Sequence, residues 1–227
     1  MSRVSLHETI VLYLSWLAFI TGAMLIALAG DFPFVSLLIT PGDSFQYLLY
    51  AQLFFVLVMW PKFIPKILAE DAKHPKLQEG SLQAGSVSLL LIQVVVLSVF
   101  MLPVAMICLN ISTLDFWTFF KGQLLVIVMA SFVASLFAVG VERKWKMRTW
   151  YYFFFFVVSA GFPFLAYFSW DMYGTSLGFL ESLSPFWAAS TIEVGSTPLI
   201  QSAIYGAATV GLILGPAFLR RTKSTTA

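Results

Sequence analysis

The chain has 227 residues, of which 59% are hydrophobic and only 11% are charged. A soluble globular domain is about a quarter charged, because it must cover its core with groups that water accepts. The composition therefore excludes a soluble domain, a disordered chain and a coiled coil, and the single cysteine, Cys108, excludes a disulfide scaffold. A net charge of +2 does not indicate a nucleic acid as partner. We expect a protein that lies mostly in lipid.

Six apolar runs predict six membrane-spanning helices. A helix needs roughly 20 apolar residues to cross the hydrocarbon core of a bilayer. Strands of a membrane barrel would alternate apolar with polar residues, whereas these runs are apolar throughout. The only charged residue inside a run is Lys121, close enough to the start of the fourth run to snorkel to the headgroups. We predict an all-α membrane protein, a six-helix bundle forming a single transmembrane domain over residues 1–227, with spans near residues 10–30, 45–60, 86–109, 116–139, 150–170 and 199–219.

The connections between these runs alternate between basic and non-basic segments. Residues 31–44, 110–115 and 171–198 contain neither Lys nor Arg. Because basic residues near helix ends stay in the cytoplasm, this order predicts cytoplasmic N and C termini. We expect a multi-pass protein of a cell membrane, namely the bacterial cytoplasmic membrane. The other connections and the C-terminal end hold the basic residues Lys62, Lys66, Lys73, Lys76, Arg143, Lys144, Lys146, Arg148, Arg220, Arg221 and Lys223.

A cleaved signal peptide is an alternative for the first run. Ala27, Leu28 and Ala29 precede Gly30 in an arrangement that resembles a signal-peptidase site, and Arg3 makes the start weakly basic. The apolar run is longer than the roughly 7–15 residues of a usual signal core, which favours a retained span. Cleavage would leave five spans and the same topology for the rest of the chain.

The ionisable groups lie almost entirely outside the predicted spans. Both histidines, His7 and His74, fall in or beside predicted cytoplasmic segments, which excludes paired-histidine haem ligation inside the bundle. The sequence contains no Walker A motif and no GxSxG nucleophile motif. We therefore expect no enzyme activity, no cofactor and no metal. One enzyme alternative stays open, in which Glu181 and Glu193 act at the membrane interface.

Two connections are too long to be simple turns. Residues 61–85 mix four lysines with three acids, which predicts a short helix on the cytoplasmic membrane surface between spans two and three. Residues 171–198 are apolar but are broken by Gly174, Gly178 and Pro185. This pattern predicts a re-entrant or interfacial segment between spans five and six.

Small residues recur at every fourth position of the sixth run. Because small side chains let another helix approach closely, this strip is a candidate helix-packing or dimer face. The partner is either another helix of the same chain or a second copy. The strip consists of Ala203, Ala207, Gly211 and Gly215.

The sequence Leu-Gln-Glu-Gly-Ser-Leu at positions 77–82 follows the second span, and with the span pattern it resembles an ABC-2 type ABC-transporter permease. It is also similar to the haem-exporter-like permease of cytochrome c maturation. The sequence departs from the family at Pro75 and in lacking a basic residue among the acids ahead of the glycine. The resemblance implies a coupling region that meets an ATP-binding cassette subunit, formed by Glu70, Asp71, Glu79, Gly80, Ser81 and Leu82.

The resemblance also implies a function and an assembly. The chain would be a permease subunit, paired with itself or with a related permease, that moves a substrate across the cytoplasmic membrane using ATP hydrolysed by a separate subunit. The alternative is a non-catalytic structural or assembly subunit of a larger membrane complex. Such a subunit also needs no ionisable groups within its spans.

Overall fold

The computed structural model describes residues 3–28, 43–64, 82–112, 114–142, 147–174, 177–192 and 197–224. Within these ranges every regular element is helical, which confirms the predicted all-α class. In chain order the helices are α1 (Arg3–Leu28), α2 (Ser44–Phe54), α3 (Leu82–Ser112), α4 (Phe116–Glu142), α5 (Met147–Phe156), α6 (Phe162–Tyr173), α7 (Gly178–Glu181), α8 (Pro185–Ser190) and α9 (Thr197–Ser224).

Two of the helices continue into π-helical turns. The first π turn (Phe55–Met59) follows α2 and leads into a short 3₁₀ turn (Trp60–Lys62). The second π turn (Val157–Gly161) joins α5 directly to α6. Each π turn therefore lies inside a longer run of helix.

Five helical stretches in the described ranges are long and apolar enough to cross a membrane. They match the second to sixth predicted runs. The first predicted run overlaps α1, whose described apolar stretch, Ile10–Gly22, is shorter than a span. The surface helix predicted within residues 61–85 falls mostly outside the described residues. The five stretches are Ser44–Lys62, Leu90–Ser112, Phe116–Gly140, Thr149–Tyr173 and Thr197–Leu214.

The centre of the bundle is α4, which packs against α2, α3 and α9. Its buried side chains Leu125, Met129, Val133 and Phe137 recur at every fourth residue. Residues at this spacing lie on one face of a helix, so they form a continuous apolar stripe. The helices packed on α4 therefore share one hydrophobic core.

The helix pair α5 and α6 lies at the periphery of the same bundle. In an 18-residue apolar window of the Thr149–Tyr173 stretch only 6% of the residues are buried, against 67% in such a window of the Phe116–Gly140 stretch of α4. Large side chains such as Phe153, Phe156 and Phe164 are exposed. An aromatic surface of this kind is suited to hydrocarbon rather than to water.

Hydroxyl groups connect the start of α2 to the end of α3. The backbone N–H of Phe45 donates to Ser112 Oγ at 3.2 Å, which satisfies one of the donors that a helix leaves free at its start. Ser44 Oγ lies 3.1 Å from Ser112 Oγ and donates to the Cys108 carbonyl at 3.3 Å. Both serines are buried. These bonds fix the relative position of two helix ends that are distant in sequence.

A side-chain cap also begins α4. The backbone N–H of Thr118 donates to Asp115 Oδ1 at 3.0 Å. Aspartate accepts such a bond well at the N-cap position, where its negative charge also faces the positive end of the helix dipole. The hydrogen bonds from Thr118 hold the pKa of the Asp115 carboxyl below its ordinary value.

Gly122 lets α4 and α2 approach closely. A Cβ atom at this position would lie 2.9 Å from both methyl groups of Leu49 and 3.1 Å from Phe45 Cζ. We expect Gly122→Ala to destabilise the fold, because overpacking costs about 1–3 kcal/mol while alanine gains about 1 kcal/mol in helix propensity. Thermal unfolding of the purified protein in detergent measures the difference.

The matched control is Gly206→Ala in α9. There a new Cβ would meet only Val128 Cγ1, at 4.0 Å, which is ordinary contact. This variant keeps the gain in propensity without the clash, so it should be neutral or stabilising. Equal stabilisation by both substitutions would contradict the close approach at Gly122.

Candidate functional site

The structure tests few of the residues predicted for coupling. Glu70, Asp71, Glu79, Gly80 and Ser81 lie outside the described residues, and Leu82 is the first residue of α3. Their role in contacting an ATPase stays a prediction.

The small-residue strip lies on α9. Ala203, Ala207 and Gly211 are exposed in the single chain. A Cβ added at Gly211 would meet nothing within 4 Å. The side of α9 that faces the bundle instead carries buried Gln201, Ser202 and Thr209. A partner for the strip stays a prediction, as does any part played by Gly215, whose surroundings are not among the described features.

Side chains from several helices hold the short-helix segment, residues 177–192, which contains α7 and α8. Gly174 ends α6 in the left-handed conformation, with φ of 62°, and its N–H donates to the Trp170 carbonyl. Ser184 caps α8, and Pro185 at the first position of that helix needs no N–H partner. The segment lies where the glycine and proline pattern predicts a broken connection.

Two side chains of α9 donate hydrogen bonds to three successive carbonyls of this segment. Gln201 Nε2 donates to the carbonyls of Ser182 and of Ser184, the latter at 2.7 Å. Tyr205 Oη donates to the Leu183 carbonyl at 2.9 Å. The Ser184 carbonyl also accepts from the N–H of Ala188 in α8, whereas the carbonyls of Ser182 and Leu183 lie in the turn between α7 and α8. The α9 side chains supply donors where this turn interrupts the helical pattern.

Side chains of α2 and α4 hold the other end of the segment. Gln46 Nε2 donates to the carbonyls of Ala189 and Ser190 at 3.3 and 2.9 Å. Lys121 Nζ donates to the Ile192 carbonyl at 2.8 Å, and only 6% of this lysine is exposed. The expectation that Lys121 extends into the headgroup region is therefore wrong. Its amino group donates a hydrogen bond to a protein carbonyl instead.

Each π turn is followed at the same spacing by a proline. Pro61 and Pro163 each come two residues after the end of a π turn. A proline lacks the N–H that would bond to the carbonyl four residues earlier, and its ring crowds that carbonyl. The carbonyls freed in this way belong to Leu57 and Ser159, the middle residues of the two π turns.

Hydroxyl groups from elsewhere in the chain bind both freed carbonyls. Tyr151 Oη donates to the Leu57 carbonyl at 2.7 Å, and Tyr152 Oη donates to the next carbonyl, that of Val58, at 2.9 Å. Ser184 Oγ donates to the Ser159 carbonyl at 3.1 Å. The two proline breaks thus become attachment points, one between α5 and the first π turn and the other between the second π turn and the short-helix segment.

A cavity of about 820 Å³ lies between these attachment points. α4 supplies Met129, Val133 and Leu136, while α5 and the second π turn supply a row of side chains from Trp150 to Ser159. Leu57, Pro185 and Tyr205 complete it, and its lining, drawn from the described residues, includes no charged side chain. The volume is within the range of about 300–1,000 Å³ that is usual for small-molecule sites.

The cavity lining offers apolar surfaces and a few hydroxyl groups as its chemistry. Among the described residues no three His, Cys, Asp or Glu side chains come together as they would to hold a metal. Glu181 is half-buried on α7, and Glu193 lies outside the described residues, so their proposed pairing stays untested. The sequence analysis missed Gln46, Gln201 and Tyr205, although polar residues inside apolar runs are the signal that marks them.

The Tyr151–Leu57 hydrogen bond gives a test of the first attachment point. We expect Tyr151→Phe to destabilise the protein by about 1–3 kcal/mol, since the Leu57 carbonyl then stays buried without a donor. In a Pro61→Ala background the loss should be smaller, because residue 61 then has an N–H four positions after Leu57. A double-mutant cycle of unfolding free energies measures the coupling. Tyr167→Phe, an exposed position in α6, is the matched control.

Gln201 gives a test of the short-helix segment. We expect Gln201→Leu to accelerate amide hydrogen exchange across residues 177–192 by roughly tenfold, because both hydrogen bonds from the Gln201 amide to the segment are lost. The control is Thr209→Val, which removes a buried hydroxyl whose only described bond stays within α9, to the Tyr205 carbonyl. Exchange mass spectrometry resolves the segment. Equal acceleration in both variants would show that Gln201 does not hold it.

Comparison with known proteins finds no matching family model, no matching curated protein and no matching solved structure. The functional assignment of the chain therefore rests on the segment, its hydrogen bonds and the adjoining cavity.

Proposed function

We propose that the chain is the membrane-spanning permease subunit of an ABC-type transporter, which moves a substrate across the cytoplasmic membrane with ATP hydrolysed by a separate subunit. The observation that carries this proposal is the short-helix segment between the last two apolar helical stretches, hydrogen-bonded to α2, α4 and α9. A half-buried segment at this point of the chain is part of the resemblance to ABC-2 type permeases.

The proposal includes six spans, with α1 as the first, and both termini in the cytoplasm. The alternation of basic connections supports this orientation and puts the short-helix segment on the external side. Non-helical backbone at membrane depth is tolerated only where protein surrounds it. The donors Gln46, Lys121 and Gln201 supply such surroundings, which supports a re-entrant segment.

The proposed mechanism uses the difference in packing within the bundle. ATP-driven movement of the ATPase would act on residues 70–82 and shift the permease between two states, each stabilised by different contacts. The densely packed α2 and α4 are suited to transmit the movement, while the peripheral α5–α6 pair is suited to change position. The π turn inside that pair supports bending there, since π turns interrupt regular helix geometry.

A structural or assembly subunit of a larger membrane complex remains the alternative. The exposed strip of Ala203, Ala207 and Gly211 is the observation that supports this alternative, because a helix of another protein could pack closely against it. A permease dimer would use the same surface, as either a homodimer or a heterodimer with a related permease. The identity of the co-purified partner distinguishes these assignments.

The proposal predicts that the native full-length protein, extracted in mild detergent, co-purifies with a subunit that contains a Walker A motif. We expect Glu79→Lys to weaken this association by about tenfold or more, because a reversed charge in a coupling contact replaces attraction with repulsion. The measurement is the amount of ATPase recovered per permease.

The matched control is Glu181→Lys, the same charge reversal on α7. In the proposed topology α7 lies on the opposite side of the membrane, so ATPase recovery should not change. Recovery of partners that bind no nucleotide would overturn the transporter proposal and support the assembly subunit. Equal recovery from both variants would overturn only the coupling role of Glu79.

A further inference from the structure

We propose that the cavity described above is a lipid-binding slot, which holds one acyl chain of an anionic phospholipid with its headgroup at the start of α5. The inference concerns binding only, and it stands whether or not the chain belongs to a transporter. It follows from the shape of the cavity, its chemistry, its opening and the charge at one end.

The slot runs along α5. The lining side chains of that helix and its π turn extend from Trp150 to Ser159. At a helical rise of 1.5 Å per residue this corresponds to about 14 Å. On the opposite wall, α4 lines it from Met129 to Leu136. A slot between two neighbouring helices fits a chain-shaped ligand better than a compact one.

The inner surface of the slot is mostly apolar. The hydroxyl groups of Tyr151 and Tyr205 belong to its lining, but they donate to the carbonyls of Leu57 and Leu183. Apart from the Ser159 hydroxyl at one end, what remains toward the space is aliphatic and aromatic. If a space of this size were empty, the side chains on every wall would lose dispersion contacts. Hydrocarbon chains of the surrounding bilayer can fill the space and make those contacts.

The slot opens toward the surface that faces lipid. Trp150 and Phe154 line it, yet 61% and 60% of these residues stay exposed. Both belong to the peripheral α5, in the stretch of membrane-spanning length whose residues are almost all unburied. An acyl chain can therefore enter sideways from the bilayer without passing through water.

The positive charge near one end of the slot favours an anionic lipid and determines the direction in which it lies. The first turn of α5 carries Arg148, and Trp150 follows two residues later, while in the sequence Arg143, Lys144 and Lys146 precede the helix. Basic residues at a helix end attract anionic headgroups, and tryptophan favours the headgroup level. The phosphate would thus lie near the start of α5 and the chain would extend toward Ser159. The hydroxyl of Ser159 has no described partner and would lie near the chain's end.

The test uses the full-length protein reconstituted in vesicles of phosphatidylethanolamine and phosphatidylglycerol that contain a trace of phosphatidylglycerol with a photoreactive acyl chain. After illumination, mass spectrometry locates the adducts. We expect them on slot residues such as Val133, Leu136 and Val158 rather than on the outward side chains Phe164 and Phe168. Unlabelled phosphatidylglycerol should compete, and phosphatidylcholine should compete far less.

Variants sharpen the test. We expect Leu136→Trp to lower the slot adducts by about tenfold, because the larger side chain fills the space. Leu165→Trp is the matched control, at an exposed position of α6 outside the slot, and should leave them unchanged. Ser159→Ala should also leave them unchanged, since the end of an acyl chain makes no hydrogen bond.

Three outcomes would overturn the proposal. Adducts spread evenly over slot and outward residues of the wild-type protein would show that no site exists, and this comparison needs no variant to fold. Equal competition by phosphatidylcholine would remove the preference for an anionic headgroup. A loss in Ser159→Ala as large as that in Leu136→Trp would show a ligand with a polar group deep in the slot, which an acyl chain lacks.

Discussion

The structure depends on one constraint, which is that a backbone carbonyl in apolar surroundings needs a donor from the protein itself. Hydrocarbon supplies none, and an unpaired group costs several kcal/mol. Pro61 removes a donor near the end of one apolar helical stretch, and Pro163 removes one within another. Tyr151 and Ser184 replace those donors from elsewhere in the chain, at 2.7 and 3.1 Å. Each helix break thereby determines which other part of the chain must lie beside it.

The same constraint explains why the short-helix segment is held from three sides. Several of its carbonyls accept hydrogen bonds from side chains of other helices, of which Lys121 and Gln201 are buried and Gln46 is half-buried. Gln46 belongs to α2, Lys121 to α4 and Gln201 to α9. These three helices must keep a fixed spacing for all of the bonds to form at once. The short-helix segment therefore links these three helices at one end of the bundle.

Hydropathy predicted the helices well, because apolar composition is required both by lipid and by a protein core. For the same reason it did not predict which face of each helix is buried. Lys121 illustrates the difficulty, since a lysine near a span end suits the headgroup region equally well in the absence of a known neighbour. The Tyr151–Leu57 bond joins residues 94 positions apart, and no local pattern indicates such a contact. The broken segment was predictable, because glycine and proline mark it locally.

The slot and the short-helix segment, together with the side chains that bind it, share residues. The two main features of the molecule are therefore linked. The Tyr205 ring lines the slot while its hydroxyl holds the Leu183 carbonyl, and Pro185 lines the slot from the first position of α8. A close-packed wall cannot move without moving what it touches. An occupant that spreads α5 from α4 would therefore act on the segment through Ser184, whose hydroxyl donates to the Ser159 carbonyl in the π turn that follows α5. Among the helices that line the slot, α5 is the one expected to move, because it is peripheral and few buried contacts oppose its displacement.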